Sequence, residues 1–237
     1  IWGHKSHSWA DVEHDTTKAF YNKLGVLKNL PVCYDEITNL NEDELSDLCY
    51  AVSKGQGRQR LNQDGSAKEN FGAWQTMMLT TSNASLHSRL SLAKADASAE
   101  AVRVFEFYMP SNMIPKRQAD ETLDLLNNHF GLAGEIFMRE VMKDLEAVKQ
   151  RIKDWTQHME SEAKVNSGER FWAAGPACVL TSLEITNRLG LSNISTDALA
   201  EFAVQCIYNM RDAVKDDTKT PVNTLADYLN GNLRRML

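Results

Sequence analysis

The sequence predicts an α/β first half followed by an all-α second half, with the change of character near residue 117. Three observations lead there. Up to that point, short apolar runs bounded by Pro, Gly and small polar residues alternate with helical spacing. Beyond "PSNMIP" the apolar spacing is helical almost throughout. With 237 residues, 43% of them hydrophobic and 24% charged, the chain has the composition of an ordinary globular protein and can bury one large core or two small ones.

The elements follow in order. "DTTKAFYNKLGVL" places Phe20, Leu24 and Leu27 on one helical face. "LPVCY" is short, apolar and bounded by Pro31, as a central parallel strand would be. "NEDELSDLCYAV" predicts a helix. Asn41 stands at its cap with Glu44 three residues on, and Leu45, Leu48, Cys49 and Val52 line one face. The polar, Gly-rich "SKGQGRQRLNQDGSAKENFG" reads as a loop or hairpin carrying Lys54, Arg58, Arg60 and Lys68. "WQTMMLTTSN" predicts a second buried strand ending in small polar residues, and "AVRVFEFYM" a third. From 135 to 164, the residues Phe137, Val141, Leu145, Val148, Ile152, Trp155 and Met159 make one continuous helical stripe, which "KVNSGE" breaks. "RFWAAGPACVLTSLEITNRLGL" is a further helix with Pro176 as a kink or restart and Gly190 at its end. "STDALAEFAVQCIYNMRDAV" is another, capped by Ser195 or Thr196. "DDTKTP" reads as a linker, and "VNTLADYLNGNLRRML" opens a small helical unit. The expected division is 1–116 and 117–237.

Charge and cysteine content narrow the function classes. A formal net charge of -6 gives no global basic signature for nucleic acid, which leaves only a local basic patch. The four cysteines follow no CxxC spacing, so reduced thiols in a cytosolic protein are expected. No apolar run approaches the roughly 18 residues that span a bilayer, so no membrane partner is expected. The first residues lack a signal-peptide core and an initiator Met, and the chain is expected to be cut from a longer one.

The chemistry starts at "LPVCYDEIT", where an apolar strand runs into Asp35 and Glu36. In a parallel α/β sheet, phosphates and Mg²⁺ gather at the carboxyl ends of strands. A strand ending in paired acids therefore has the layout of a Walker B element. Asp35 would hold Mg²⁺ through water, and Glu36 would polarise the attacking water. The plain alternative is an acidic strand end turning into solvent. Asn83 stands just past the second apolar strand, 47 residues after Glu36. It fits the polar group that orients such a water, with Thr80 or Thr81 as the alternatives and Thr81 beside Asp35 at the nucleotide. A strand cap is its plain alternative. Arg58, Arg60 and Arg103 are candidates for the fixed cation that reaches a neighbouring subunit's γ-phosphate. Lys54, Arg58, Arg60 and Lys68 could instead face a channel and touch DNA phosphates. His4 and His7 have no acidic or Cys partner at metal-binding spacing, Ser82 and Ser85 lack a nucleophile elbow, and the two arginines of "NLRRML" are weak as a DNA signal.

The order Trp9, Thr17, "LPVCYDEIT", "YAVSKGQGRQR", "WQTMMLTTSNASL", "AVRVFEF" resembles the DUF927 family of P-loop ATPases from phages, plasmids and mobile elements. The resemblance covers about residues 1 to 140. It implies a partial P-loop NTPase sheet of the AAA+ or helicase-like kind, followed by a helical lid. By position, Asp35 and Glu36 match Walker B, Asn83 the polar strand end, Gly55 to Arg58 the glycine-basic loop, and Arg103 the strand arginine. The resemblance further implies ATP and Mg²⁺ as cofactors, single-stranded DNA as partner, and a homo-oligomeric ring in the intact parent. The departure is that no GxxxxGK[ST] occurs in the sequence. The expectation is a fragment beginning just after the P-loop helix, inactive alone. A non-catalytic interaction or oligomerisation module with a lost P-loop is the alternative.

Overall fold

The computed structural model describes residues 17–56, 72–93, 98–110 and 113–216. The first part is built on α1 (Thr17–Leu27), β1 (Val32–Tyr34), α2 (Glu42–Lys54) and β2 (Met78–Thr80). Leu24 of α1 and Val32 of β1 are completely buried with Ile37, Leu45 and Leu90, and Trp74 is nearly so. α2 begins as its sequence requires. Asn41 accepts from the Glu44 amide, and the Glu44 carboxylate accepts from the Asn41 amide. It ends at Gly55, whose φ of 73° only glycine adopts at little cost and where a Cβ would stand 2.6 Å from the Trp74 carbonyl oxygen.

β1 and β2 pair in parallel, with Val32 opposite Met78 and Tyr34 opposite Thr80. Both strands therefore end on one rim. Among the described residues the sheet has these two strands only. One face is covered, while Cys33 and Leu79 on the other are exposed.

The chain then runs through α3 (Leu86–Ala93) and the single turn α4 (Ser98–Ala101). Here the structure corrects the sequence reading. "AVRVFEFYM" is not a third strand: Ala101 closes α4, Val102 and Arg103 form a turn, and 104–110 have no regular secondary structure. The reason lies in contacts with other elements. Glu100 is buried and accepts from the Ser46 hydroxyl, which seats α4 against α2. The backbone groups that a strand would give to a neighbour are taken by side chains. The Val104 carbonyl accepts from Trp172 Nε1 at 2.8 Å and lies 3.2 Å from His87 Nε2, and the Glu106 amide donates to Met210 Sδ.

The second part comprises α5 (Lys116–Asn128), α6 (Leu132–Val141), α7 (Leu145–Glu162), α8 (Arg170–Arg188) and α9 (Thr196–Asp216). The last three enclose a core of Trp155, Met159, Trp172, Leu180, Ile207 and Met210, with Ala173, Ala177, Ala200 and Ala203 permitting close approach. Val102 and Phe105 pack against this same core. The stripe expected to be continuous from 135 to 164 is broken. α6 stops at Val141, and Asp144 caps α7 by accepting from the Ala147 amide. Asp144 gains more as a cap than it would inside a helix, where its carboxylate competes with the backbone. Only the C-terminal end of the stripe, Trp155 and Met159, is buried. α8 runs on through Pro176, which is itself buried. Ser195 approaches the first turn of α9 through its hydroxyl, which accepts from the Ala198 amide. The "DDTKTP" and "VNTLADYLNGNLRRML" segments lie outside the described residues.

Arg211 of α9 grips the turn between α7 and α8. Its guanidinium donates to both Glu169 oxygens, at 3.0 and 2.7 Å, and to the Ala163 carbonyl. Arg211 holds the buried Glu169 carboxyl below the usual carboxylate range by this hydrogen bonding. The folded pKa is thus lower than the unfolded one. The pair's stabilisation is present above the unfolded value of about 4.3 and is lost as pH falls through the folded value. The thermal midpoint should fall on acidification below about pH 5, and Glu169→Gln should flatten that acid limb relative to wild type. Parallel acid limbs in the two proteins would refute the linkage.

Candidate active site

The rim where β1 and β2 end gathers the acids and amide expected from the sequence. Thr81, one residue past β2, is the hub. Its hydroxyl donates to Asp35 Oδ1 at 2.5 Å and accepts from the Glu36 amide at 2.9 Å. Its carbonyl accepts from the Ile37 amide. Asn83 Nδ2 donates to Glu36 Oε2 at 2.9 Å. The Asn83 amide in turn donates to Thr38 Oγ1, which shares a hydrogen bond with Ser82 Oγ. Asp35, Glu36, Thr81 and Asn83 therefore form one network across two adjacent strand ends.

Glu36 is held unusually. Its φ of 53° and ψ of 65° place a non-glycine residue in the left-handed region, at a cost of about 1 kcal/mol or more. Such a conformation persists where surrounding bonds over-determine it. Asn83 fixes one carboxylate oxygen, while Oε1 is buried and accepts no hydrogen bond among the described residues. An ionised carboxylate is acceptor-only, so Oε1 keeps its capacity to accept a hydrogen bond. Asp35, by contrast, is exposed and spends Oδ1 on Thr81. Among the described residues no three His, Cys, Asp or Glu could together hold a metal ion. Mg²⁺ does not need such a cage, because it keeps several waters and takes one or two carboxylates plus substrate phosphates. Asp35 at this rim fits that mode of binding.

Of the basic candidates, Arg103 and Lys54 are described. Arg103 leaves the expected strand for a turn, donates to the Ala99 carbonyl, and stacks its guanidinium 4.6 Å over the Tyr50 ring. Lys54 is the exposed last residue of the 13-residue α2. It stands about 18 Å along the helix from its first residue, where a cation favours the helix C-terminus. Arg58, Arg60 and Lys68 lie outside the described residues, as do His4 and His7. Thr80 is the last residue of β2, and its hydroxyl turns to the Thr81 carbonyl. A cleft of about 620 Å³ between α7 and α9 is remote from this network in sequence and lined by Asp154, Glu162, Asp197 and Glu201. Its one arginine, Arg151, is committed to Glu184, so the cleft is unsuited to a triphosphate.

Sequence reasoning missed Thr38 and Arg89. Thr38 was visible only as the last letter of the motif, with nothing to say that it would meet Asn83. Arg89 sits on α3, and its guanidinium donates to the carbonyls of Ile37 and Leu40.

The DUF927 family, a domain of unknown function, matches residues 2–71. No curated protein matches the chain. Among solved structures, "SCCmec type IV Cch - active helicase" superposes with a TM-score of 0.64 at 17% identity, covering 90% of this chain and 38% of that one. The chain shares its fold with part of a solved helicase. It is mostly helical, with a small parallel sheet, and spans well under half the length of that relative. Among the described residues no helix is long and apolar enough to cross a membrane.

Proposed function

We propose that the chain is part of a helicase-type P-loop ATPase, and that the rim of β1 and β2 is the Mg²⁺ and water side of its nucleotide site. The observation that carries this reading is the bond from Asn83 to Glu36 across adjacent parallel strand ends, with Asp35 beside it on Thr81. Parallel α/β sheets bind ligands at that edge. The helicase fold likeness and the DUF927 match support the same reading.

In this reading ATP is the substrate, and Mg²⁺, when bound, supplies charge neutralisation on its phosphates. Asp35 holds the hydrated ion. Glu36 takes the proton of the attacking water through Oε1, while Asn83 keeps the carboxylate from turning away. Arg58, Arg60 or Arg103 serves the nucleotide of a neighbouring subunit in a ring. Lys54, Arg58, Arg60 and Lys68 contact single-stranded DNA, coupling hydrolysis to translocation. The glycine-rich phosphate loop comes from a longer parent.

Asp35→Asn tests the metal role. In a longer protein carrying a GxxxxGK[ST] loop, the Mg²⁺ concentration for half-maximal hydrolysis should rise about tenfold or more. An unchanged Mg²⁺ requirement would remove Asp35 from the site.

A further inference from the structure

We infer that Arg89 is the positioning residue that keeps Glu36 in its strained, productive conformation. The inference rests on the proposed role of Glu36 and extends it to a residue on a different element. The turn Ile37–Asn39 follows Glu36 directly, and Leu40 closes it by donating its amide to the Ile37 carbonyl. This tight turn leaves the carbonyls of Ile37 and Leu40 facing α3. Arg89, half-buried there, reaches both with its two terminal nitrogens, at 3.3 Å for Ile37 and closer for Leu40. The planar fork of a guanidinium suits this double contact, and a lysine ammonium cannot reproduce it.

The grip is two-sided. Before Glu36, Asp35 is tied to the Thr81 hydroxyl, and the Glu36 amide is tied to the same oxygen. After Glu36, the turn is tied to Arg89. α3 begins three residues past Asn83, so one helix carries Arg89 and also fixes the stretch bearing the amide that holds Glu36 Oε2. A residue at φ 53° relaxes toward the ordinary extended or helical regions once either side lets go. Relaxation swings the carboxylate off Asn83. The Arg89 guanidinium is spent on two backbone carbonyls of the turn that follows Glu36, so its effect on hydrolysis passes through Glu36.

The test uses Arg89→Lys and Arg89→Ala with two readouts. In this chain, hydrogen exchange of the Ile37 and Asn83 amides should accelerate about tenfold or more, while amides within α7 to α9 keep their protection. In the longer protein, Arg89→Lys should lower kcat about tenfold or more with KM within about twofold of wild type. Arg89→Lys in a Glu36→Gln background should cause no further loss, because the group being positioned no longer does chemistry. Should Arg89→Ala fail to fold, Arg89→Lys carries both measurements. Wild-type exchange at Ile37 and Asn83, or a kcat loss that multiplies with that of Glu36→Gln, would overturn the inference. Full activity of Glu36→Gln would instead overturn the proposed function, and the exchange data would still decide whether Arg89 clamps the turn.

Discussion

Glu36→Gln should reduce ATP hydrolysis by the longer protein about 10²- to 10³-fold while leaving nucleotide affinity within about twofold. Gln is nearly isosteric with Glu, and its carbonyl oxygen can still accept from Asn83 Nδ2, the bond seen at 2.9 Å. The left-handed backbone at position 36 is set by Thr81 and the turn that follows, not by the carboxylate, so the fold should survive. What disappears is a basic oxygen. Oε1 is buried and accepts nothing from the described residues, and a neutral amide in its place has no capacity to take a proton. Equilibrium binding of a fluorescent nucleotide and steady-state turnover separate the two quantities. Turnover at the wild-type rate would remove Glu36 as the base, and lost binding with lost turnover would indicate a structural role.

Trp172→Ala should destabilise the fold by about 4 kcal/mol, within the range seen for large aromatic truncations in packed cores. Trp172 is 1% exposed and lies at the centre of the helical cluster. Its indole nitrogen also donates to the Val104 carbonyl. Trp172→Phe separates the two contributions. It keeps most of the ring and removes the donor, so its cost should be nearer 1–2 kcal/mol, the value of a buried hydrogen bond plus a modest loss of volume. Urea denaturation followed by circular dichroism reads both. If Trp172→Phe matched wild type, the bond to Val104 would contribute nothing to stability.

Local signals were legible in the sequence where one short stretch determines the structure. The Asn41 and Glu44 capping box, the burial of Phe20 and Leu24, and the stop at Gly190 follow from neighbours within a turn or two. The pairing of Asp35, Glu36 and Asn83 was also legible, because two apolar strands ending in polar residues share a rim if they are parallel neighbours. One misread segment is decided by distant partners, another by a local cap. "AVRVFEFYM" has the composition of a strand, yet its backbone is claimed by Trp172, His87 and Met210, residues far along the chain or on another helix. The stripe from Phe137 to Met159 has the right period, but period is blind to a cap such as Asp144 inside it. Arg89 carried no signal, because its two acceptors are backbone carbonyls, present at every position in any sequence.

The carbonyl oxygen of Val104 serves two aromatic rings, the imidazole of His87 on one side and the indole of Trp172 on the other. One atom thus belongs to the interior of both halves. Melting the first half would strand the Trp172 ring nitrogen without its acceptor, so loosening there is felt at once in the helical half. The molecule is built like two rooms sharing a keystone, and heat should bring both down in a single event.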